Sequence, residues 1–93
     1  MGLVYDNQGD YPRALEYYQM ALDIELGTLG KDHPSVATTY SNMGAVYSKQ
    51  GDYPRALEYY QMALDIELGT LGKDHPSTKS VQRSIEIVKG KMS

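Results

Sequence analysis

Residues 9–35, GDYPRALEYYQMALDIELGTLGKDHPS, return without a change as residues 51–77. The offset of 42 residues makes the chain a tandem array of one unit. A period in the range of about 20–50 residues is read as stacked supersecondary units before any single motif is weighed. Within the first copy Asp10 offers an N-cap oxygen, and Pro12 falls in the first turn, where its missing N–H does no harm. A helix is therefore predicted to begin near Tyr11. Ala14, Leu15, Tyr18, Ala21, Leu22, Glu25, Leu26 and Leu29 recur at the spacing of one helical face, and Arg13, Glu16, Gln19 and Asp23 take the other. Only Glu25 interrupts the apolar stripe. Tyr17, Met20 and Ile24 widen it, which predicts a helix contacted from two directions. Gly30 is expected to end the helix in a left-handed cap, and Gly27 costs its last turns about 1 kcal/mol relative to Ala.

Asp32-His33-Pro34 repeats the cap logic of Asp10-Tyr11-Pro12, predicting a second helix from His33 to about Lys49 with Val36, Tyr40, Met43, Val46 and Tyr47 buried. Gly44 lies in the middle of that face, where an entropically costly glycine is economical if a neighbouring backbone comes close. Gly51-Asp52 closes the hairpin, and Tyr53 to Leu71 repeats the first long helix. Met1 to Gln8 aligns with Met43 to Gln50 and reads as the second half of a helix whose first half is absent. Beyond Ser77 the copies part: Gln82, Glu86 and Lys89 stand where Tyr40, Gly44 and Tyr47 stood. A final helix from about His75 to Lys89 keeps Val81, Ile85 and Val88 on one face and turns polar on the other, as a solenoid does where it meets water. The expectation is an all-α fold of about five helices, the first truncated. It forms one domain over residues 1–93, with a partial repeat at 1–32, a repeat at 33–74 and a capping helix at 75–93.

A chain of 93 residues buries only about 60% of its unfolded surface, so its core has little to spare. With no Cys there is no disulfide and no thiolate zinc site, which fits a reducing compartment. The formal charge of −3 argues against a general phosphate-backbone binder, and no nucleic-acid partner is expected. The charge is uneven: residues 1–75 carry eleven acids and five bases, whereas Lys79, Arg83, Lys89 and Lys91 face only Glu86 in the tail. Four bases on a terminal helix read as solvation. No apolar run approaches the roughly 20 residues needed to span a bilayer, and the start lacks the layout of a secretory signal, so no membrane role is expected and the chain reads as cytoplasmic. All nine aromatics are Tyr, six of them in the duplicated block, a bias that repetition explains.

Tyr40, Met43, Gly44, Tyr47, Ala56, Tyr60 and Ala63 follow the pattern of the tetratricopeptide repeat, and Gly2, Tyr5, Ala14, Tyr18 and Ala21 fill its second half one repeat earlier. The chain resembles that family over nearly its whole length. Pro34 and Pro76 come later than in the usual unit of about 34 residues. Together with Leu-Gly-Lys-Asp-His-Pro at each link, the 42-residue period is similar to the long-repeat branch seen in kinesin light chains. The resemblance implies a right-handed α-solenoid of antiparallel helix hairpins. It also implies a non-enzymatic adaptor that takes a protein or peptide in the groove lined by the first helix of each pair. Here that groove would present Thr38, Ser41, Asn42, Ala45 and Lys49, with Arg83 alongside. Asn42 falls where the family's carboxylate-gripping Asn often lies. The companion cationic positions fall on Thr38, Ser80 and Ser84, which cannot pair with a carboxylate as Lys or Arg does, so the groove reads as plain and solvated.

His33 and His75 each stand beside a capping Asp with no second ligand at helical spacing, and they read as structural, with no metal or other cofactor expected. Ser near the Asp-His-Pro links does not assemble a nucleophile, base and oxyanion hole, so no catalytic residue is predicted. The truncated front end leaves the stripe Leu15, Tyr18, Leu22, Leu26 and Leu29 short of cover. Exposing three Leu-sized side chains forgoes about 5–9 kcal/mol. Self-association through that face, as a homo-oligomer such as a dimer, is one expectation; a fragment of a longer array is the other. The rival readings of function are a regulatory module that positions a catalytic partner, and a structural or engineered unit with no ligand.

Overall fold

The computed structural model describes residues 10–92, which form four helices: α1 (Tyr11–Thr28), α2 (Pro34–Gln50), α3 (Tyr53–Thr70) and α4 (Pro76–Met92). No strand occurs among the described residues. The truncated helix expected over Met1 to Gln8 lies outside them. Each helix packs on the next, α1 on α2, α2 on α3 and α3 on α4.

The helix ends follow local chemistry, with one departure from expectation. The Asp10 and Asp52 carboxylates accept the backbone N–H of Arg13 and Arg55 at 3.4 and 3.3 Å, the N-cap bond that starts α1 and α3. At α2 the cap is not Asp32. His33 is itself the N-cap, in extended conformation, and its Nδ1 accepts the Ser35 N–H at 3.1 Å. His75 does the same for Ser77 at 3.1 Å. The prolines differ in depth: Pro34 is the first helical residue, and the His33 before it is extended and caps the helix, whereas Pro12 and Pro54 are the second residues of their helices, with Tyr11 and Tyr53 ahead of them. The link between α2 and α3 is only Gly51 and Asp52. Gly51 takes φ +84°, and the Asp52 N–H returns to the Tyr47 carbonyl at 2.9 Å. α4 runs on to Met92, past the predicted end at Lys89.

Two apolar clusters hold the stack. Ala14, Tyr18 and Leu22 of α1 meet Val36, Met43 and Val46 of α2. Ala37 of α2 joins Ala56, Tyr60 and Ala63 of α3 and Val81, Ile85 and Val88 of α4. Tyr59 fills the seam between α2 and α3, stacked on Tyr47 at 5.3 Å and tilted against Tyr40 at 6.0 Å. Burial, and after it the neighbouring Tyr47, pushes the Tyr59 phenol above its ordinary pKa. Gly44 admits the Tyr60 ring, rather than a backbone: a Cβ there would stand 3.1 Å from three ring carbons. α4 carries Glu86 at the aligned position, with Gln82 and Lys89 where α2 has Tyr40 and Tyr47. The surface of α4 at these positions is therefore more polar than the one on which α3 settles.

α1 and α3 have one sequence and two environments. Among the described residues the broad stripe meets different surroundings in the two copies: Ile66 of α3 is half-buried, whereas Ile24 of α1 is 66% exposed. The face expected to self-associate is also rearranged. Tyr18 and Leu22 are buried against α2 and Leu15 is half-buried, so of the named stripe only Leu26 and Leu29 are exposed.

Candidate functional site

A cavity of about 340 Å³ opens between α2 and α4, with α3 behind it. Thr38, Ser41 and Asn42 come from α2, Glu67 from α3, and Pro76, Ser77, Ser80 and Val81 from α4. Three of the six groove residues expected from the sequence are brought together here. Ala45 is instead half-buried against the second cluster, and Lys49 and Arg83 are exposed and outside the cavity. Of the clamp positions, Thr38 and Ser80 line the wall, whereas Ser84 does not. Five of these eight side chains are short hydroxyls or an amide, Thr38, Ser41, Asn42, Ser77 and Ser80, and the others are Glu67, Pro76 and Val81. The polar five lie on the sides of α2 and α4 away from the buried Val36, Met43 and Ile85, so the helical period itself sets the polar part of the lining.

Glu67 was missed. It is only 4% exposed, and its Oε1 is buried with no hydrogen-bond partner. Burial raises its carboxyl above the ordinary carboxylate range, and the nearby His75 pulls the other way. Glu25, its copy in α1, differs in one respect that matters: Oε1 of Glu25 accepts the Thr39 hydroxyl at 2.6 Å. The residue aligned with Thr39 is Val81, and the one aligned with Val36 is Thr78. The hydroxyl has moved one turn along the helix, so Glu67 has no donor and the Thr78 Oγ1 is itself buried and unpartnered. The signal in the sequence was the lone acid on an apolar stripe.

Chemically the cavity can accept hydrogen bonds and a positive charge. No Lys or Arg lines it. Among the described residues no group of three or more His, Cys, Asp or Glu is placed to hold a metal ion, and His33 and His75 spend their Nδ1 atoms on caps. No helix among these residues is long and apolar enough to cross a membrane.

Comparison with known proteins places this geometry. The family model of the tetratricopeptide repeat matches residues 1–68. No curated protein matches the sequence. Among solved structures, the crystal structure of BtubC (BKLC) from P. vanneervenii is similar, with a TM-score of 0.89 at 24% identity, over 98% of this chain and 36% of that one. At that identity the likeness is one of fold, and the chain spans little more than a third of that protein's length.

Proposed function

The chain belongs to the tetratricopeptide repeat family, and from that premise we propose that it is a non-enzymatic scaffold that holds a peptide or protein segment in the groove between α2 and α4. The observation that carries this reading is the open, hydroxyl-lined cavity of Thr38, Ser41, Asn42, Ser77 and Ser80 on the first helices of successive pairs. Short polar side chains leave room for an extended segment and offer hydrogen bonds to its backbone without demanding one sequence. The test is an amide-resolved NMR titration with a mixed peptide pool. Shifts concentrated at Asn42, Ser77 and Ser80, weakened by Asn42→Ala, are expected; shifts confined to other faces reject the groove.

Self-association is a second reading, favoured by the exposed apolar side chains of α1: Met20, Ile24, Leu26 and Leu29 are 53, 66, 38 and 48% exposed. Sedimentation at micromolar concentration is expected to show a concentration-dependent dimer that Ile24→Lys abolishes. A monomer throughout rejects it.

A further inference from the structure

We propose that the cavity between α2 and α4 is a pocket for a basic side chain, the ammonium of lysine or the guanidinium of arginine on a bound peptide, with Glu67 as its counter-ion. This rests on the groove reading above and names what the groove selects.

The geometry supplies each part. A carboxylate that is 4% exposed and carries an oxygen without a partner is costly, because a buried acceptor has lost its water and gained nothing in return. An N–H donor bearing positive charge is the group that relieves both the missing bond and the missing charge. The first copy shows that this glutamate takes a donor when one is offered, since Thr39 donates to Glu25 at 2.6 Å. In the second copy Val81 cannot donate, and Val81 itself lines the cavity beside Glu67. Around the mouth, Thr38 already donates its hydroxyl proton to the Pro34 carbonyl at 3.2 Å, which leaves its oxygen lone pairs as acceptors. Ser41, Ser77, Ser80 and the Asn42 carbonyl are further acceptors for the remaining N–H groups of an ammonium or guanidinium. Lys49, Lys79 and Arg83 of the neighbouring helices are exposed and outside the lining. His75 is the base that acts on Glu67, yet it too stands outside the lining, its Nδ1 is spent on the Ser77 N–H, and Oε1 of Glu67 is left without a hydrogen bond. An anionic ligand would meet a buried acid with no base in the pocket. The cavity of about 340 Å³ has room for one long basic side chain.

Three peptides and three variants test this. The probe is a short fluorescein-labelled peptide of alternating lysine and alanine, set against the same peptide with norleucine for lysine and against one with glutamate for lysine. Binding is followed by anisotropy and by the amide shifts of Asn42, Ser77 and Ser80. The lysine peptide is expected to shift those amides and to bind about tenfold or more tightly than the norleucine peptide, the size of one charge-assisted hydrogen bond. Glu67→Gln is expected to remove that preference. Val81→Thr, which hands Glu67 the hydroxyl its twin already has, is expected to weaken it without loss of fold, and it serves if Glu67→Gln does not fold. Glu58→Gln, an exposed acid outside this cavity, should leave the preference unchanged. Equal binding of lysine and norleucine peptides at the groove amides overturns the basic-pocket inference while the groove reading survives. Equal losses from Glu67→Gln and Glu58→Gln overturn it in favour of general attraction to an acidic body. If no peptide moves the groove amides, the groove reading falls and this inference falls with it.

Discussion

The hydroxyl of Thr39 donates to the Glu25 carboxylate at 2.6 Å, joining α2 to α1 through a partly buried, charge-assisted bond. Thr39 is 7% exposed, so water is a poor substitute for either partner. In a double-mutant cycle, Glu25→Leu and Thr39→Val are expected to couple by about 1.5 kcal/mol in urea unfolding. Additive losses would mean that the bond contributes nothing.

The second copy has the same parts out of register. Thr78 and Val81 stand where α2 has Val36 and Thr39, leaving Thr78 Oγ1 and Glu67 Oε1 both buried without partners. Exchanging them, Thr78→Val with Val81→Thr, is expected to raise the unfolding free energy by about 1–3 kcal/mol. A denaturation midpoint at or below that of the parent would refute the register argument.

Glu67 also predicts a dependence on pH. Burial raises its carboxyl above the ordinary value of 4.5, with His75 opposing. The folded state thus holds this proton more tightly than the unfolded chain does. Its contribution to stability is full below the unfolded value and is lost as pH rises through the elevated folded one. Glu67→Gln removes the titration, so the stability of the variant relative to the parent should grow as pH rises from the ordinary carboxylate value through the elevated folded one. Parallel curves of urea midpoint against pH would show that no such linkage exists.

Gly44 and Gly27 should respond in opposite directions to alanine. A Cβ at Gly44 meets the Tyr60 ring at 3.1 Å, and that ring is 6% exposed in a cluster with Ala56, Ala63, Val81 and Ile85. Overpacking at about 1–3 kcal/mol exceeds the helix-propensity gain of about 1 kcal/mol, so Gly44→Ala should lower the melting temperature. At Gly27 nothing lies within 4 Å, and Gly27→Ala should gain about 0.5–1 kcal/mol. Equal melting shifts would contradict the close approach.

The helix caps offer a local test. His33 Nδ1 accepts the Ser35 N–H at 3.1 Å, so His33→Ala should cost about 1 kcal/mol, while Asp32→Ala should change stability by less than about 0.5 kcal/mol. Thermal melts giving the reverse order would restore Asp32 as the cap.

Much of this molecule was legible in its sequence because the deciding interactions are local. The 42-residue period is plain in the repeated letters, and the caps at Asp10 and Asp52, the left-handed Gly30 and the inward set Val81, Ile85 and Val88 follow from spacing within one or two turns. The cap at His33 was misplaced by one residue because the prolines of two similar motifs stand at different depths in their helices.

What the tertiary structure decided is how one sequence behaves in two places. α1 and α3 are identical, yet Ile24 is 66% exposed while Ile66 is half-buried, and Glu25 is bonded while Glu67 is not. No local pattern distinguishes them: Ile66 packs on the cluster of α1 and α2 that precedes its helix, and the glutamates differ in the helix that follows each, where Thr39 faces one and the aligned residue for the other is Val81. The repeat specifies the helices and their caps; the contacts between a repeated helix and an unrepeated neighbour determine which side chains are left wanting a partner, and so where a ligand can bind.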